Sequence, residues 1–113
     1  MKIIRDRISR DELKEMAKDM FGNLVKAVVD IERGIMAVGG ELHSDEEALL
    51  IENGSKQEGL WGINLYPEIQ DESWIEFDSL INIRPSQNNL TRDIDNPEIR
   101  KKIIEIVNKL VIE

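Results

Sequence analysis

One apolar stretch, Asn23 to Gly40, decides what this chain can fold into, because whatever it forms must supply much of the core. Read with a period of two, Val25, Ala27, Val29 and Ile31 share one strand face, and Gly34 sits where a hairpin would turn. Read with a period of 3.6, Leu24, Val28, Ile31, Ile35 and Val38 form one stripe, widened by Val25, Val29 and Met36. Lys26, Asp30, Arg33 and Ala37 then fall together on the opposite side. The helical template accounts for more positions. It also sets Lys26 and Asp30 at an i,i+4 spacing, gives Asn23 a capping position and ends at Gly39-Gly40. Gly34 inside such a helix costs about 1 kcal/mol. The pattern therefore predicts a helix over 24–38, with Glu32 inside its apolar arc beside Val28, Ile35 and Met36. A carboxylate there needs a partner: a pocket, His43 or Arg84, unless its stem packs and its head reaches solvent.

The flanking segments are easier to read. Lys2–Arg5 predicts a short strand. Ser9-Arg10-Asp11-Glu12 is a capping box, and Leu13, Met16, Ala17 and Met20 follow at helical spacing up to Gly22. Ala48–Ile51 is a brief apolar run before Asn53-Gly54, a strong hairpin signal, and predicts a strand. The rival reading makes Ser44-Asp45-Glu46-Glu47 a capping box for a short helix through Glu52. One helical turn is expected around Ser55–Glu58, and a strand over Trp61–Tyr66 before Pro67. Trp74–Arg84 alternates, with Ile75, Phe77, Ile81 and Ile83 on one face and Trp74, Glu76, Asp78, Leu80, Asn82 and Arg84 on the other, and predicts a long strand with one dry and one wet face. After a polar loop, Asn96 or Asp95 caps a last helix with Pro97 at its first position. The sum is an α+β fold in one domain, residues 1–113. It is a small antiparallel β-meander of three to four strands, in the order β-α-α-β-β-β-α, packed against three α-helices on its dry face.

Charge and composition narrow the function classes. A net charge of −8, with 34% of residues charged, repels phosphate backbones and anionic lipid, so neither nucleic acid nor membrane is expected as a partner. The chain has no cysteine, which removes thiolate nucleophiles and Cys-ligated metal sites. Met1-Lys2-Ile3-Ile4 leads into charged residues rather than a signal peptide, and no apolar run nears the roughly 20 residues of a spanning helix. A cytoplasmic location is expected.

Val28-Val29-Asp30-Ile31-Glu32-Arg33, Gly39-Gly40-Glu41-Leu42-His43, Gly54-Ser55-Lys56-Gln57, Leu60–Pro67 and Ile81-Asn82-Ile83-Arg84-Pro85 resemble a bacterial and archaeal family known only as a domain of unknown function. With the Pro97–Leu110 helix, the resemblance covers nearly the whole chain. It implies a single self-contained domain and transfers no catalytic role.

The chemistry-bearing residues are few. There is no Gly-rich phosphate loop, no His-Glu-x-x-His and no Gly-x-Ser-x-Gly, so no catalytic residue is assigned and no metal or cofactor is expected. His43, the one histidine, has Glu41 two residues away, a pair suited to acid–base work or to holding an ion with a further carboxylate. The same His43 suits a hydrogen-bonded structural role. Glu32, Asn64, Asn82 and Arg84 join Glu41 and His43 as candidate ligand-binding residues. The wet strand face, with Glu76, Asp78 and Tyr66 between Trp61 and Trp74, suits a polar ligand, a solvated surface or a dimer contact. Two readings follow. The first is a non-enzymatic interaction module that self-associates as a homodimer or higher homo-oligomer through a sheet face or edge strand, with Trp74 exposed; its small-molecule ligand is unknown. The second is a metal-assisted hydrolase using Glu41 and His43 with Glu32 or Asp78, which requires those groups to converge.

Overall fold

The computed structural model describes residues Met1–Glu113. In chain order the elements are β1 (Lys2–Ile4), β2 (Ile8–Ser9), α1 (Arg10–Asp19), β3 (Val25–Asp30), β4 (Ile35–Val38), α2 (His43–Glu52), β5 (Leu60–Leu65), β6 (Ile75–Glu76), α3 (Pro97–Leu110) and β7 (Val111–Ile112). Three helices and a five-stranded antiparallel sheet, ordered β1-β4-β3-β5-β6, make an α+β fold whose sheet is larger than the sequence predicts. A separate parallel pair, β2 with β7, sets Ile8 opposite Val111. No helix is long and apolar enough to cross a membrane.

The predicted 24–38 helix is instead the β3–β4 hairpin, with Ala27 opposite Val38 and Asp30 opposite Ile35. Its turn is built by Asp30, which is fully buried. Oδ1 accepts the N–H groups of Glu32 (2.9 Å) and Arg33 (3.0 Å), and Oδ2 accepts the Ser55 hydroxyl (2.6 Å). Gly34 completes the reversal at φ +68°, a conformation open to glycine at little cost. Alternation was hidden because both faces of β3 are covered. Val25, Ala27 and Val29 join the main core with Leu13 and Ala17 of α1 and Ile103, Val107 and Leu110 of α3. Val28 packs with Ile35, Ala37 and Leu60 beneath Leu50 of α2. A strand buried on both faces is apolar at nearly every position and fits a helical stripe as well as a strand.

The helices therefore lie on both faces of the sheet, not on one. The strand predicted at Ala48–Ile51 lies inside α2, so the rival helical reading describes this segment. Only His43, Glu46 and Leu50 of α2 are buried. Two of the three are ionisable, so the inward face does not register as apolar. Asn53-Gly54 closes this helix, Gly54 at φ +99°, rather than turning a hairpin.

The strand predicted over Trp74–Arg84 stops after Ile75–Glu76, where Glu76 faces Asn64 and Ile75 faces Leu65. Beyond it, Ser79 Oγ accepts the Ile81 N–H (3.2 Å) and starts a 3-10 turn, Leu80–Asn82. The Asn82 side chain then replaces a strand. Its Oδ1 accepts the Gly62 N–H (2.8 Å), and its Nδ2 donates to the Gly62 carbonyl (2.9 Å) and the Arg92 carbonyl (3.0 Å). Trp74, expected at the surface, is 5% exposed. Arg10 stacks over its ring at 4.0 Å and donates to the carbonyls of Pro67 and Ile69.

Other elements stand where the sequence puts them. Ser9 Oγ caps α1 by accepting the Glu12 N–H (3.0 Å), although the Glu12 carboxylate pairs with Lys2 instead of closing the box. Asn96 Oδ1 caps α3 at the Glu98 N–H (2.8 Å), with Pro97 at the first helical position. The turn near 55–58 is a 3-10 helix at Gln57–Gly59.

Candidate binding surface

The ends of α1, β4 and β5 and the beginnings of β3 and α2 meet at one end of the sheet. Here α1 stops with Gly22 at φ +94°, its N–H on the Ala17 carbonyl (2.6 Å), which turns Met20 and Phe21 outward. After β4 the chain passes through Gly40, whose N–H donates to Glu46 Oε2 (3.0 Å). A Cβ on Gly40 would stand 2.8 Å from Glu46 Cγ, so only glycine admits the buried carboxyl. That closeness seats the first turn of α2 and leaves Leu42, its N-terminal flank, 54% exposed. The turn begun by Ser79 leaves Leu80 66% exposed while Ile81 packs inward.

His43 and Glu46 pin α2 to the sheet. His43 Nε2 lies 2.8 Å from the Ile63 carbonyl. A carbonyl can only accept, so Nε2 carries the proton and Nδ1 is the free acceptor. Burial lowers the imidazole pKa, partly opposed by that same hydrogen bond, and Lys26 lowers it further. Glu46 is fully buried; burial pushes its carboxyl up to about 9, and Oε1 has no partner. At neutral pH both groups are uncharged, which is what allows them to be enclosed.

Three adjoining recesses line this end. The first, about 220 Å³, lies between Lys26, Leu42, His43, Leu80 and Arg92. The second, about 450 Å³, shares Lys26 and Leu42 and adds Asp19, Met20, Phe21 and Glu41. The third, about 410 Å³, shares Met20 and Glu41 and runs to Gly40 and Leu49. Lys26 lies over the Phe21 ring at 5.0 Å. None of Asp19, Lys26 and Glu41 belongs to an ion pair within the chain.

The candidate residues do not form one site. Glu32 is exposed in the β3–β4 turn, outside any apolar arc, while Glu41 is exposed at the other end of that hairpin. Asn64 Nδ2 donates to Glu76 Oε1 (2.9 Å) and the Asp78 carbonyl (3.2 Å), and the Tyr66 hydroxyl donates to the same Glu76 oxygen (3.0 Å). Burial first, then the Glu76 hydrogen bond, raises the Tyr66 pKa and keeps the phenol protonated. Asn82 spends its amide on Gly62 and Arg92. Arg84 is buried at the open edge of β5, pairing with Glu47 (3.3 Å) and stacking on Trp61 (4.7 Å). Its pKa is lowered by burial, with Glu47 opposing. No three His, Asp or Glu side chains stand close enough to hold a metal ion. Glu46 and Asp30 escaped sequence reasoning. The spacing of His43, Glu46 and Leu50 marks the first once α2 is read as a helix, and Asp30 four residues before Gly34 marks the second.

A family model described as a protein of unknown function (DUF5674) matches residues 2–110. No curated protein and no solved structure matches the chain.

Proposed function

The chain belongs to the DUF5674 family of proteins of unknown function, and we propose that it acts as a non-enzymatic interaction module that binds a second copy of itself through the surface beside α2. The observation that carries this reading is the outward grouping of Met20, Phe21, Leu42 and Leu80, which are 39%, 43%, 54% and 66% exposed and line adjoining recesses. Apolar groups of this size gathered on one surface favour association.

The occupant follows from the rim. Asp19 and Glu41 flank the patch with Lys26, all without ion pairs of their own, so one surface carries both signs. Two copies related by a two-fold axis bring four carboxylates and two lysines to the seam, so each Lys26 has a carboxylate of the other copy to face. Sheet-edge pairing is poorly supported, since the outer strands β1 and β6 have three and two residues. Neither sheet face is free for mating, because α2 covers one and α1 with α3 the other. In this reading His43, Asn64 and Asn82 position the surface, Glu41 belongs to its rim, and Glu32 and Arg84 lie outside it. The module works in the cytoplasm, with neither nucleic acid nor membrane as partner.

Sedimentation velocity across a concentration series tests it. The wild type is expected to dimerise, and Phe21→Glu and Leu42→Glu to remain monomeric with unchanged circular dichroism. A wild type that stays monomeric at high concentration refutes the proposal.

A further inference from the structure

A separate recess, about 310 Å³, opens at the far end of β5, between the Gln87–Asn89 turn and the first turn of α3. Trp61 lines it and is 1% exposed, yet its indole N–H has no acceptor in the chain. The Arg84 guanidinium lies over the same ring, and its Nη1, also buried, has no acceptor. Two buried donors left open around one aromatic ring are uncommon, because each loses its hydration without return.

The wall around them is held rigidly. Asn89 Nδ2 donates to the carbonyls of Asn82 (2.7 Å), Asp93 (2.7 Å) and Thr91 (3.2 Å), and its Oδ1 accepts the Asp95 N–H (2.9 Å). Arg84 and Asn89 also exchange backbone hydrogen bonds (2.7 and 3.1 Å). The Asp95 carboxylate, exposed beside the recess, has no hydrogen bond or ion pair of its own. The recess is preformed and within the size range of small-molecule sites, and polar side chains make up most of its lining: Gln87, Asn88, Asn89, Asp95 and Asn96.

We propose that this recess binds a small neutral molecule, one that turns a carbonyl or hydroxyl oxygen toward Trp61 and Arg84 and N–H or O–H groups toward Asp95. Neutrality follows from the charges in place. Glu47 already answers Arg84, and Asp95 stands beside the recess in a chain of net charge −8, so a bound anion meets no uncompensated cation. Acceptors inward and donors outward are the groups of an amide-bearing polyol.

N-acetylglucosamine serves as the neutral probe and acetate as the anionic one. The two tryptophans give two indole N–H resonances in a ¹⁵N-labelled sample, assigned with Trp74→Phe. The expected result is a saturable shift of the Trp61 resonance with N-acetylglucosamine, at a dissociation constant of about 1 mM, while Trp74 stays in place. Asp95→Ala changes an exposed side chain outside the core and is expected to weaken binding about tenfold, the effect of one hydrogen bond; Arg84→Met is expected to weaken it at least as much. A linear, unsaturable response overturns the proposal. So does saturation by acetate alone, or binding indifferent to Asp95→Ala.

Discussion

Glu46 and His43 sit one turn apart on the buried side of α2 and respond to pH in opposite directions. The Glu46 carboxyl, raised to about 9 by burial, keeps a proton that the unfolded chain releases near pH 4.5. Folded protein therefore holds more protons between those values, and stability falls as pH rises through that window, by at most about 1.4 kcal/mol per pH unit. Burial lowers the His43 pKa, so its contribution is complete above pH 6.5 and is lost as pH falls below it. Below pH 6.5 the two trends oppose each other; above it Glu46 acts without that opposition. Urea midpoints of the wild type are expected to fall from pH 6.5 to 9, and those of Glu46→Gln to stay nearly flat over the same range. Equal slopes for the two proteins rule out the Glu46 assignment.

At the element scale, β5 pairs with β6 only at Asn64 and Leu65, and at Gly62 the Asn82 side chain takes the place of a neighbouring strand. Gly62 accommodates this, since a Cβ there would stand 2.6 Å from both Cβ and Oγ of Ser79. Gly62→Ala is expected to cost about 2 kcal/mol from overpacking in chemical denaturation, and Ser79→Gly to recover part of it. Asn82→Ala leaves the Gly62 N–H and carbonyl without their partners and is expected to cost about 2–4 kcal/mol. The alternation over 74–84 does not survive as a pattern of burial: Trp74, Asn82 and Arg84, placed on the wet face, are buried, and Ile83, placed on the dry face, is exposed. Ile75 and Ile81 face opposite cores, Ile75 the α1–α3 side and Ile81 the α2 side, because the chain turns between them. Helix ends were legible, since Ser9 and Asn96 act on backbone N–H groups two or three residues away, and such contacts need no tertiary partner.

For the whole molecule, the net charge of −8 opposes both compactness and pairing of like copies. Added salt screens that repulsion. Self-association through the Phe21–Leu42 surface is therefore expected to tighten as ionic strength rises, read by light scattering at fixed protein concentration. Binding to a cationic partner would weaken under the same change, so the sign of the salt effect distinguishes the two. The sequence by itself determined the α+β class, the first and last helices with their caps, and the strand at β5, because each depends on residues close together along the chain. Only the tertiary structure decided that 24–38 is a hairpin, that α2 turns His43 and Glu46 inward, and that Asn82 stands in for a strand. The physical reason is shared: each depends on what covers a second face or edge, and that cover comes from residues distant along the chain. Polarity patterns report burial, and burial on two sides erases the period that separates helix from strand.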